Sequence, residues 1–257
     1  MVEINTPELW RDCFPVPNPD DHKYSRGHTV IVGSDRYTGA TRLAAEACSR
    51  IGTGLVTVFN RARADLYRTC LPPDIMIEAE ALSNCRNPNA ILAGPGGIDD
   101  EQAAALRSSD SKVQYVLDAD AIRLLDQSSA PQSIVTPHEG EFARYFGSMG
   151  ENRAETASAA AKAHHCVLVL KGARTLICDP SGRVVENQTA SPYLAKAGTG
   201  DVLAGLIAGF VAQGMPRFEA ACAGVWIHGR AAERIGPGLV PQDLFGELRT
   251  ALKEILG

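Results

Sequence analysis

The chain has 257 residues, of which 45% are hydrophobic and 21% are charged, and its formal net charge is −5. This composition is typical of a soluble globular protein with ample material for a core. It argues against a nucleic-acid-binding protein, because contacts with the phosphate backbone need clustered Lys and Arg. We therefore expect any anionic ligand to be held by local features of a site.

The cysteines and the apolar segments argue against a secreted, disulfide-bonded protein and against a membrane protein. The seven Cys are scattered singly, and their odd number does not suit a closed disulfide framework, so we expect reduced, small buried thiols in a cytoplasmic protein. The N-terminus, MVEINTPELWRDCF, has early acidic residues and no apolar core, unlike a secretory signal. Polar residues and Pro216 interrupt the apolar stretch 202–226, which predicts two buried helices and no membrane span.

The predicted elements alternate between strand and helix along most of the chain. A β-branched run at 28–34 precedes a segment, 39–51, whose apolar residues recur at helical spacing. Further strand signals lie at 55–59, 75–79, 90–93, 115–117, 134–135 and 167–170. Continuous apolar strands separated by helices indicate a parallel sheet that is covered on both faces.

The pattern changes after residue 170. Two strand-like segments, 175–178 and 183–186, flank the turn-forming sequence Asp-Pro-Ser-Gly, which predicts an antiparallel hairpin at the edge of the sheet. Three helices are then predicted, at 200–213, 216–235 and 241–256. No linker-like stretch divides the chain, so we expect a single α/β domain over residues 1–257.

A Gly-rich turn, Gly198-Thr199-Gly200-Asp201, leads into an almost wholly apolar helix. A helix N-terminus carries unpaired N–H groups and a partial positive charge, and glycine lets a phosphate approach the backbone closely. The turn is therefore a candidate anion site. Local pattern alone leaves Asp201 with two roles of equal weight, a functional group or an N-terminal cap of the helix.

Three other polar segments have both a structural and a functional interpretation. Thr136 and Glu139 have the spacing of a capping box, which predicts a structural role for Glu139. Asp118 and Asp120 follow a predicted strand, where open α/β sheets bind ligands, and either support Mg²⁺ through water or cap the next helix, with capping favoured for Asp120. The segment 171–175 by itself is typical of a solvated hairpin corner.

Seven motifs together resemble one known family. In order, and covering residues 23–205, they are HKYSRGHTVIVGS, TGATRLAAEA, AGPGG, VLDADAI, TPHEGE, VLKGART and GTGDVLAG. The ordered set resembles the ADP/ATP-dependent NAD(P)H-hydrate dehydratases, and GTGDVLAG is similar to the GxGD anion-hole signature of ribokinase-like enzymes. The resemblance implies a ribokinase-like three-layer α/β/α sandwich with a mostly parallel central sheet and an edge hairpin.

The resemblance also implies roles for particular residues. Asp201 is the implied catalytic base, which takes a proton from the ring hydroxyl of the hydrate as that oxygen attacks a phosphoryl group. The implied contacts with the hydrate, NADHX or NADPHX, are Ala40, Gly96, Gly97, His138 and Asp201. The implied contacts with AMP or ADP are Lys171, Gly172, Ala173, Arg174, Thr175 and Gly200. The implied anion hole consists of Gly198, Thr199 and Gly200.

The resemblance further implies ADP or ATP as the phosphoryl donor, together with Mg²⁺. In the TPNxxE motif of ribokinase-like kinases the Glu helps to organise magnesium, and Glu141 stands at that position here, acting through water. A homotetramer and a separate NAD(P)H-hydrate epimerase are implied partners, whereas no nucleic acid or membrane partner is expected. The chain departs from the family at Lys196-Ala197, where Thr or Ser followed by Gly is usual.

Two other functions fit the same residues. The first is a small-molecule kinase of the ribokinase group, of the hydroxyethylthiazole or hydroxymethylpyrimidine type, which would share the anion hole and the base. The second is a non-catalytic nucleotide sensor, against which the retention of Asp201 in its glycine turn argues.

Overall fold

The computed structural model describes residues 2–107, 113–125 and 133–257. The strands are Glu3–Ile4 (β1), His28–Val32 (β2), Leu55–Phe59 (β3), Met76–Glu78 (β4), Ala90–Ala93 (β5), Gln114–Leu117 (β6), Ser133–Val135 (β7), Val167–Leu170 (β8), Leu176–Cys178 (β9) and Val184–Glu186 (β10). The α-helices are Thr38–Arg50 (α1), Ala64–Cys70 (α2), Asp100–Arg107 (α3), Glu139–Phe146 (α4), Arg153–Ala163 (α5), Thr199–Ala212 (α6), Arg217–Ile235 (α7) and Leu244–Leu256 (α8).

All of these strands belong to one sheet, in the order β1-β10-β9-β8-β7-β6-β5-β2-β3-β4. The strands from β8 to β4 pair in parallel, and β9 pairs antiparallel with both β8 and β10. The predicted hairpin is therefore β9-β10. The outermost strand beside it is β1, a two-residue strand that adds in parallel to β10 and is too short to leave a sequence signal.

Helices cover both faces of the sheet, which confirms the predicted three-layer sandwich. Side chains alternate across a strand, so Ile31 of β2 packs with α1, α6, α7 and α8, whereas its neighbours Val30 and Val32 pack with α3, α4 and α5. Because each strand buries both faces, its residues are apolar almost throughout, as β2 illustrates with every residue buried.

The predicted apolar helices are α6 and α7, and both are buried along most of their length. In the described part of the chain, no helix is both long enough and apolar enough to cross a bilayer. The seven Cys are free thiols, of which five are buried, as expected, while Cys13 and Cys70 are partly exposed.

Candidate active site

The strand order reverses between β2 and β5, and open α/β sheets bind ligands in a crevice at the carboxyl ends of their strands at such a point. The loops that follow these two strands are tied together. Ser34 Oγ donates a hydrogen bond of 2.7 Å to the Gly96 carbonyl, and Thr41 Oγ1 donates one of 3.2 Å to the Pro95 carbonyl. The two loops therefore hold the start of α1 against the glycine turn after β5.

Three of the residues predicted to contact the hydrate lie at this junction. Ala40 is in the first turn of α1, where its N–H donates to the Tyr37 carbonyl at 3.1 Å. That same carbonyl would lie 2.4 Å from a Cβ at Gly96, so no side chain fits there. Gly97 would place a Cβ 3.5 Å from Asp120 Oδ2, which brings this loop next to the end of β6.

The first turn of α6 faces the same edge of the sheet. Gly198 is the N-cap in the left-handed conformation, with φ of 99°, followed by Thr199, Gly200 and Asp201 at positions N1, N2 and N3. Thr199 Oγ1 donates to the carbonyls of Leu194 and Lys196, at 2.7 and 2.9 Å, which fixes the turn. The capping alternative for Asp201 is wrong, because Gly198 occupies the cap.

Asp201 is half-buried and has no fixed hydrogen-bond partner among the described residues. Within the described residues its carboxylate accepts no hydrogen bond. Burial is the main reason why the pKa of Asp201 is raised to about 7, and the negative charges of Asp118 and Glu141 add to it, whereas Lys171 acts in the opposite direction. A carboxylate with a pKa near neutrality is suited to accept a proton in catalysis.

Lys171 follows β8, and its side chain is mostly buried, with 19% of it exposed. Its Nζ donates to Asp118 Oδ1 at 2.7 Å and lies 3.7 Å from Glu141 Oε2. Burial alone would lower the pKa of Lys171, but Asp118 and Glu141 outweigh it and raise the pKa. The ammonium lies 3.6 Å from the position of a Cβ at Gly200, and so against the first turn of α6. The solvated hairpin corner is therefore wrong for Lys171.

The predicted capping box at Thr136 and Glu139 is also wrong. His138 is the N-cap of α4 and Glu141 is at N3. His138 Nδ1 accepts from the N–H groups of Gly140 and Glu141 at 3.0 and 3.2 Å, and Glu141 Oε2 accepts from the His138 N–H at 2.8 Å. Thr136 instead donates to buried Asp118 at 2.6 Å, a contact between two strand ends that local sequence does not reveal.

The capping role predicted for Asp120 also differs from what the structure shows. The short 3-10 helix after β6 begins directly after Asp118 in the chain, and no side chain caps its N-terminus. Asp120 is exposed, and its Oδ1 lies 3.6 Å from Arg144 Nη1 on α4. The favoured capping role for Asp120 is therefore wrong. Asp118, in contrast, accepts hydrogen bonds from Thr136 and Lys171 within the site.

In the loop from Lys171 to Thr175 the two end residues are half-buried and the three residues between them are exposed. Lys171 N–H donates to the Pro137 carbonyl at 2.8 Å, so the segment before α4 and this loop lie side by side. Gly172, Ala173 and Arg174 are exposed. Arg174 pairs with Glu186 of β10 at 3.7 Å, so its side chain does not join the cluster around Lys171.

Comparison with known protein families gives a match over most of the chain. Residues 28–247 match the family model described as NAD(P)H-hydrate dehydratase. The chain belongs to the NAD(P)H-hydrate dehydratase family. It is 34% identical over 261 residues to the ADP-dependent (S)-NAD(P)H-hydrate dehydratase of Neisseria meningitidis, a match that covers 93% of this chain and 88% of that protein.

The chain also matches longer members of the family. It is 36% identical over 262 residues to the bifunctional NAD(P)H-hydrate repair enzyme Nnr of Coxiella burnetii, covering 93% of this chain and 54% of that enzyme. The chain thus spans about half the length of the bifunctional repair enzyme that it matches.

Solved structures of similar proteins have the same fold. The ADP/ATP-dependent NAD(P)H-hydrate dehydratase of Bacillus subtilis, co-crystallised with ATP and Mg²⁺, superposes with a TM-score of 0.85 at 29% identity and 99% coverage of both chains. A ribokinase-like superfamily protein of Enterococcus faecalis gives a TM-score of 0.87 at 26% identity, covering 99% of this chain and 96% of that one. Hydroxyethylthiazole kinase of Pyrococcus horikoshii, at 16% identity, a TM-score of 0.65 and 89% coverage of both chains, shares the fold alone.

The departure from the usual family sequence lies at the surface. Lys196 and Ala197 are both exposed, and the backbone of Lys196 supports the turn through its carbonyl, which accepts from Thr199. A backbone contact does not depend on the side chain. The turn of this dehydratase family is therefore built here without the usual Thr or Ser.

Two residues of structural interest escaped the sequence analysis. Arg153, at the start of α5, contacts the backbone of the loop after β8. His228 of α7 is buried and hydrogen bonds with the backbone of Thr199, and burial lowers its pKa to about 4. Neither leaves a local signal, since an arginine that begins a helix is usually solvated and a histidine among apolar residues usually belongs to the core.

The charged groups of the crevice do not form a preformed metal cage. In the described residues, no group of three His, Cys, Asp or Glu side chains is arranged to hold an ion. Carboxylate oxygens are nevertheless the donors that Mg²⁺ prefers, and Mg²⁺ is commonly bound by one or two carboxylates together with substrate phosphates and water. The carboxylates near Lys171 are those of Asp118 and Glu141, at 2.7 and 3.7 Å from its Nζ.

Proposed function

We propose that this chain dehydrates NADHX and NADPHX to NADH and NADPH, using ADP, or ATP in its place, as the phosphoryl donor. The observation that carries the proposal is the placement of Asp201 at N3 of α6, with its pKa raised to about 7. A proton acceptor and the N–H groups of a helix N-terminus thus lie within one turn. The first accepts a proton from an attacking hydroxyl, and the second favour the negative charge of a phosphoryl group.

The first step is transfer of a phosphoryl group to the hydrate. Asp201 takes the proton from the ring hydroxyl while the hydroxyl oxygen attacks the terminal phosphorus of ADP. A new P–O bond forms, the bridging P–O bond breaks, and AMP leaves. The backbone N–H groups of Gly198, Thr199 and Gly200 and the ammonium of Lys171 offset the negative charge that develops on the transferred group.

The second step is elimination. The lone pair of the ring nitrogen expels the phosphate, which is a far better leaving group than hydroxide. The adjacent ring carbon then loses a proton to water, and its electron pair restores the double bond. The hydrate and ADP thus give the dihydronicotinamide, AMP and phosphate. With ATP the nucleotide product is ADP.

The remaining residues of the crevice are assigned to binding. We propose that Ala40, Gly96, Gly97 and His138 contact the hydrate, and that the loop from Lys171 to Thr175 and Gly200 contact the nucleotide. Glu141 would hold Mg²⁺ through water. The ion, when bound, neutralises charge on phosphoryl oxygens.

The assembly is part of the proposal as well. We propose that the chain acts as a homotetramer and that a separate NAD(P)H-hydrate epimerase supplies it with the reactive epimer of the hydrate. The family's bifunctional members, such as the Coxiella burnetii repair enzyme, support a second activity in the same repair process.

The direct test is incubation of the purified protein with NADHX and with ADP or ATP in separate reactions. We expect NADH absorbance to rise in step with AMP release, or with ADP release where ATP is the donor. A phosphorylated product that persists would instead identify a small-molecule kinase. Saturable nucleotide binding without turnover would identify a sensor.

A further inference from the structure

Arg153 joins three parts of the structure through one side chain. Its Nη1 donates to the carbonyl of Arg174, and its Nη2 donates to the carbonyls of Lys171 and Leu170 at 3.2 and 3.4 Å. Its Nε pairs with Glu139 Oε1 on α4 at 3.1 Å. The guanidinium therefore connects α5, α4 and the backbone between β8 and β9.

The two ends of this backbone are held by other contacts, since Lys171 N–H donates to the Pro137 carbonyl and the Thr175 carbonyl accepts from Asn187 N–H, but the residues between them have fewer. The residues between Lys171 and Thr175 are exposed, so core packing does not hold them. The Thr175 hydroxyl donates to the Gly172 carbonyl at 3.2 Å, which closes the turn locally but does not attach it to a helix. Attachment to α5 comes through the guanidinium of Arg153.

Gly172 is the residue that leaves room for this contact. A Cβ at position 172 would lie 2.6 Å from Arg153 Nη2, well inside van der Waals contact. Since the end of an arginine side chain can move, an alanine there would displace the guanidinium from the carbonyl groups that it binds. The position of the Arg153 guanidinium therefore depends on the absence of a side chain at Gly172.

We propose that Arg153 is a positioning residue for the nucleotide, which holds the backbone of residues 171–174 in the shape that binds it. The inference rests on the proposed assignment of the loop from Lys171 to Thr175 to the nucleotide.

Arginine is suited to this role in a way that lysine is not. A planar guanidinium presents several N–H donors in a fixed fork, so it can bind two or three carbonyls and a carboxylate at once. An ammonium at the same place would satisfy fewer of these acceptors and hold the loop less firmly. Lysine is therefore expected to replace Arg153 only in part.

The test is calorimetry with AMP and, separately, with NADPHX on the unchanged protein and on Arg153→Ala, Arg153→Lys, Gly172→Ala and the double variant Arg153→Ala/Gly172→Ala. We expect Arg153→Ala to raise the Kd for AMP about tenfold, the size expected from losing a charge-assisted hydrogen bond. Arg153→Lys should lose less. The Kd for NADPHX and the Tm should change little, as in the control Arg68→Ala, which removes an exposed helix arginine paired with Asp65.

The double variant separates two explanations for Gly172. If the methyl group acts by displacing the guanidinium, adding Gly172→Ala to Arg153→Ala costs no further AMP affinity. Additive losses would mean that the methyl group contacts the nucleotide itself. That result would contradict displacement of the Arg153 guanidinium as the cause.

The remaining outcomes distinguish this inference from the proposed function. Equal AMP affinity in the unchanged protein and in Arg153→Ala would overturn the inference alone. Parallel losses of AMP affinity, NADPHX affinity and Tm would overturn it as well, since they would show a general structural role. Failure of the unchanged protein to bind AMP would contradict the nucleotide assignment, and this inference with it.

Discussion

Lys171 Nζ lies 2.7 Å from Asp118 Oδ1, although the two residues are 53 positions apart in the chain. They meet because β6 and β8 end at the same edge of the sheet, with only β7 between them. The pair is mostly buried, with side-chain exposures of 19% for Lys171 and 6% for Asp118. A buried charge pair of this kind places the positive charge of Lys171 at the start of α6.

We predict that Asp118→Asn lowers the free energy of unfolding by about 3 kcal/mol at neutral pH, because it removes the nearer partner of a mostly buried charge and leaves Lys171 with the more distant Glu141. The isosteric amide retains an acceptor for the Thr136 hydroxyl, so the loss reports the charge. Urea denaturation measures it. The matched control is Glu101→Gln, which removes an exposed partner of Arg61 and should cost under ~1 kcal/mol. Equal small losses in both variants would contradict the prediction.

We predict that kcat/KM for the hydrate rises with pH and levels off above about 7. The pKa of Asp201 is raised to about 7 mainly by burial, and a general base must be ionised to accept a proton. A pH profile of kcat/KM measures the pKa in the free enzyme. The negative charge of Asp118 contributes to the raised pKa of Asp201, so the midpoint should move to lower pH in Asp118→Asn. An unmoved midpoint would rule out this electrostatic contribution.

Thermodynamic stability should respond to the same group. The folded protein raises the pKa of Asp201 from 3.8 to about 7, so the folded state holds this proton more tightly than the unfolded state does. The resulting contribution to stability is complete below pH 3.8 and is lost as the pH rises through about 7. We therefore predict that Asp201→Asn gains stability relative to the unchanged protein as the pH rises through this interval. Thermal unfolding of both proteins across the interval tests this, and a constant difference would contradict it.

We predict that Lys196→Thr, which restores the usual family residue, keeps turnover within about tenfold, since ~1.4 kcal/mol is what a replaceable charge contact contributes. The side chain of Lys196 is exposed, and only its backbone carbonyl supports the glycine turn. Steady-state kinetics with NADHX measures the effect. A drop of a hundredfold would show that this protein uses Lys196 to bind phosphate.

The parts of the fold that depend on local pattern could be predicted from the sequence. Apolar runs such as His28–Val32 and the helical spacing that follows them predict β2 and α1, and the turn residues after Cys178 predict the β9-β10 hairpin. The two-residue strand β1 escaped prediction because it exists only through its pairing with β10.

The site was predicted less completely, because its contacts join distant segments. The family resemblance named Lys171, His138 and Asp201, but the bond from Thr136 to Asp118 arises only when β6 and β7 pair, and local spacing assigned Thr136 a cap instead. The contacts of Arg153 likewise depend on how α5 packs beside β8 and β9.

The central claim is that Asp201 is the general base of the dehydration, and the rate of NADH regeneration by Asp201→Asn tests it most directly. Asparagine keeps the size and polarity of the side chain, and the cap of α6 is Gly198, so the helix should form as before. We predict that turnover falls by ~10²–10⁴-fold, the usual effect of removing general acid–base catalysis, while AMP affinity stays nearly unchanged. Near-normal NADH regeneration by a well-folded Asp201→Asn variant would contradict the account.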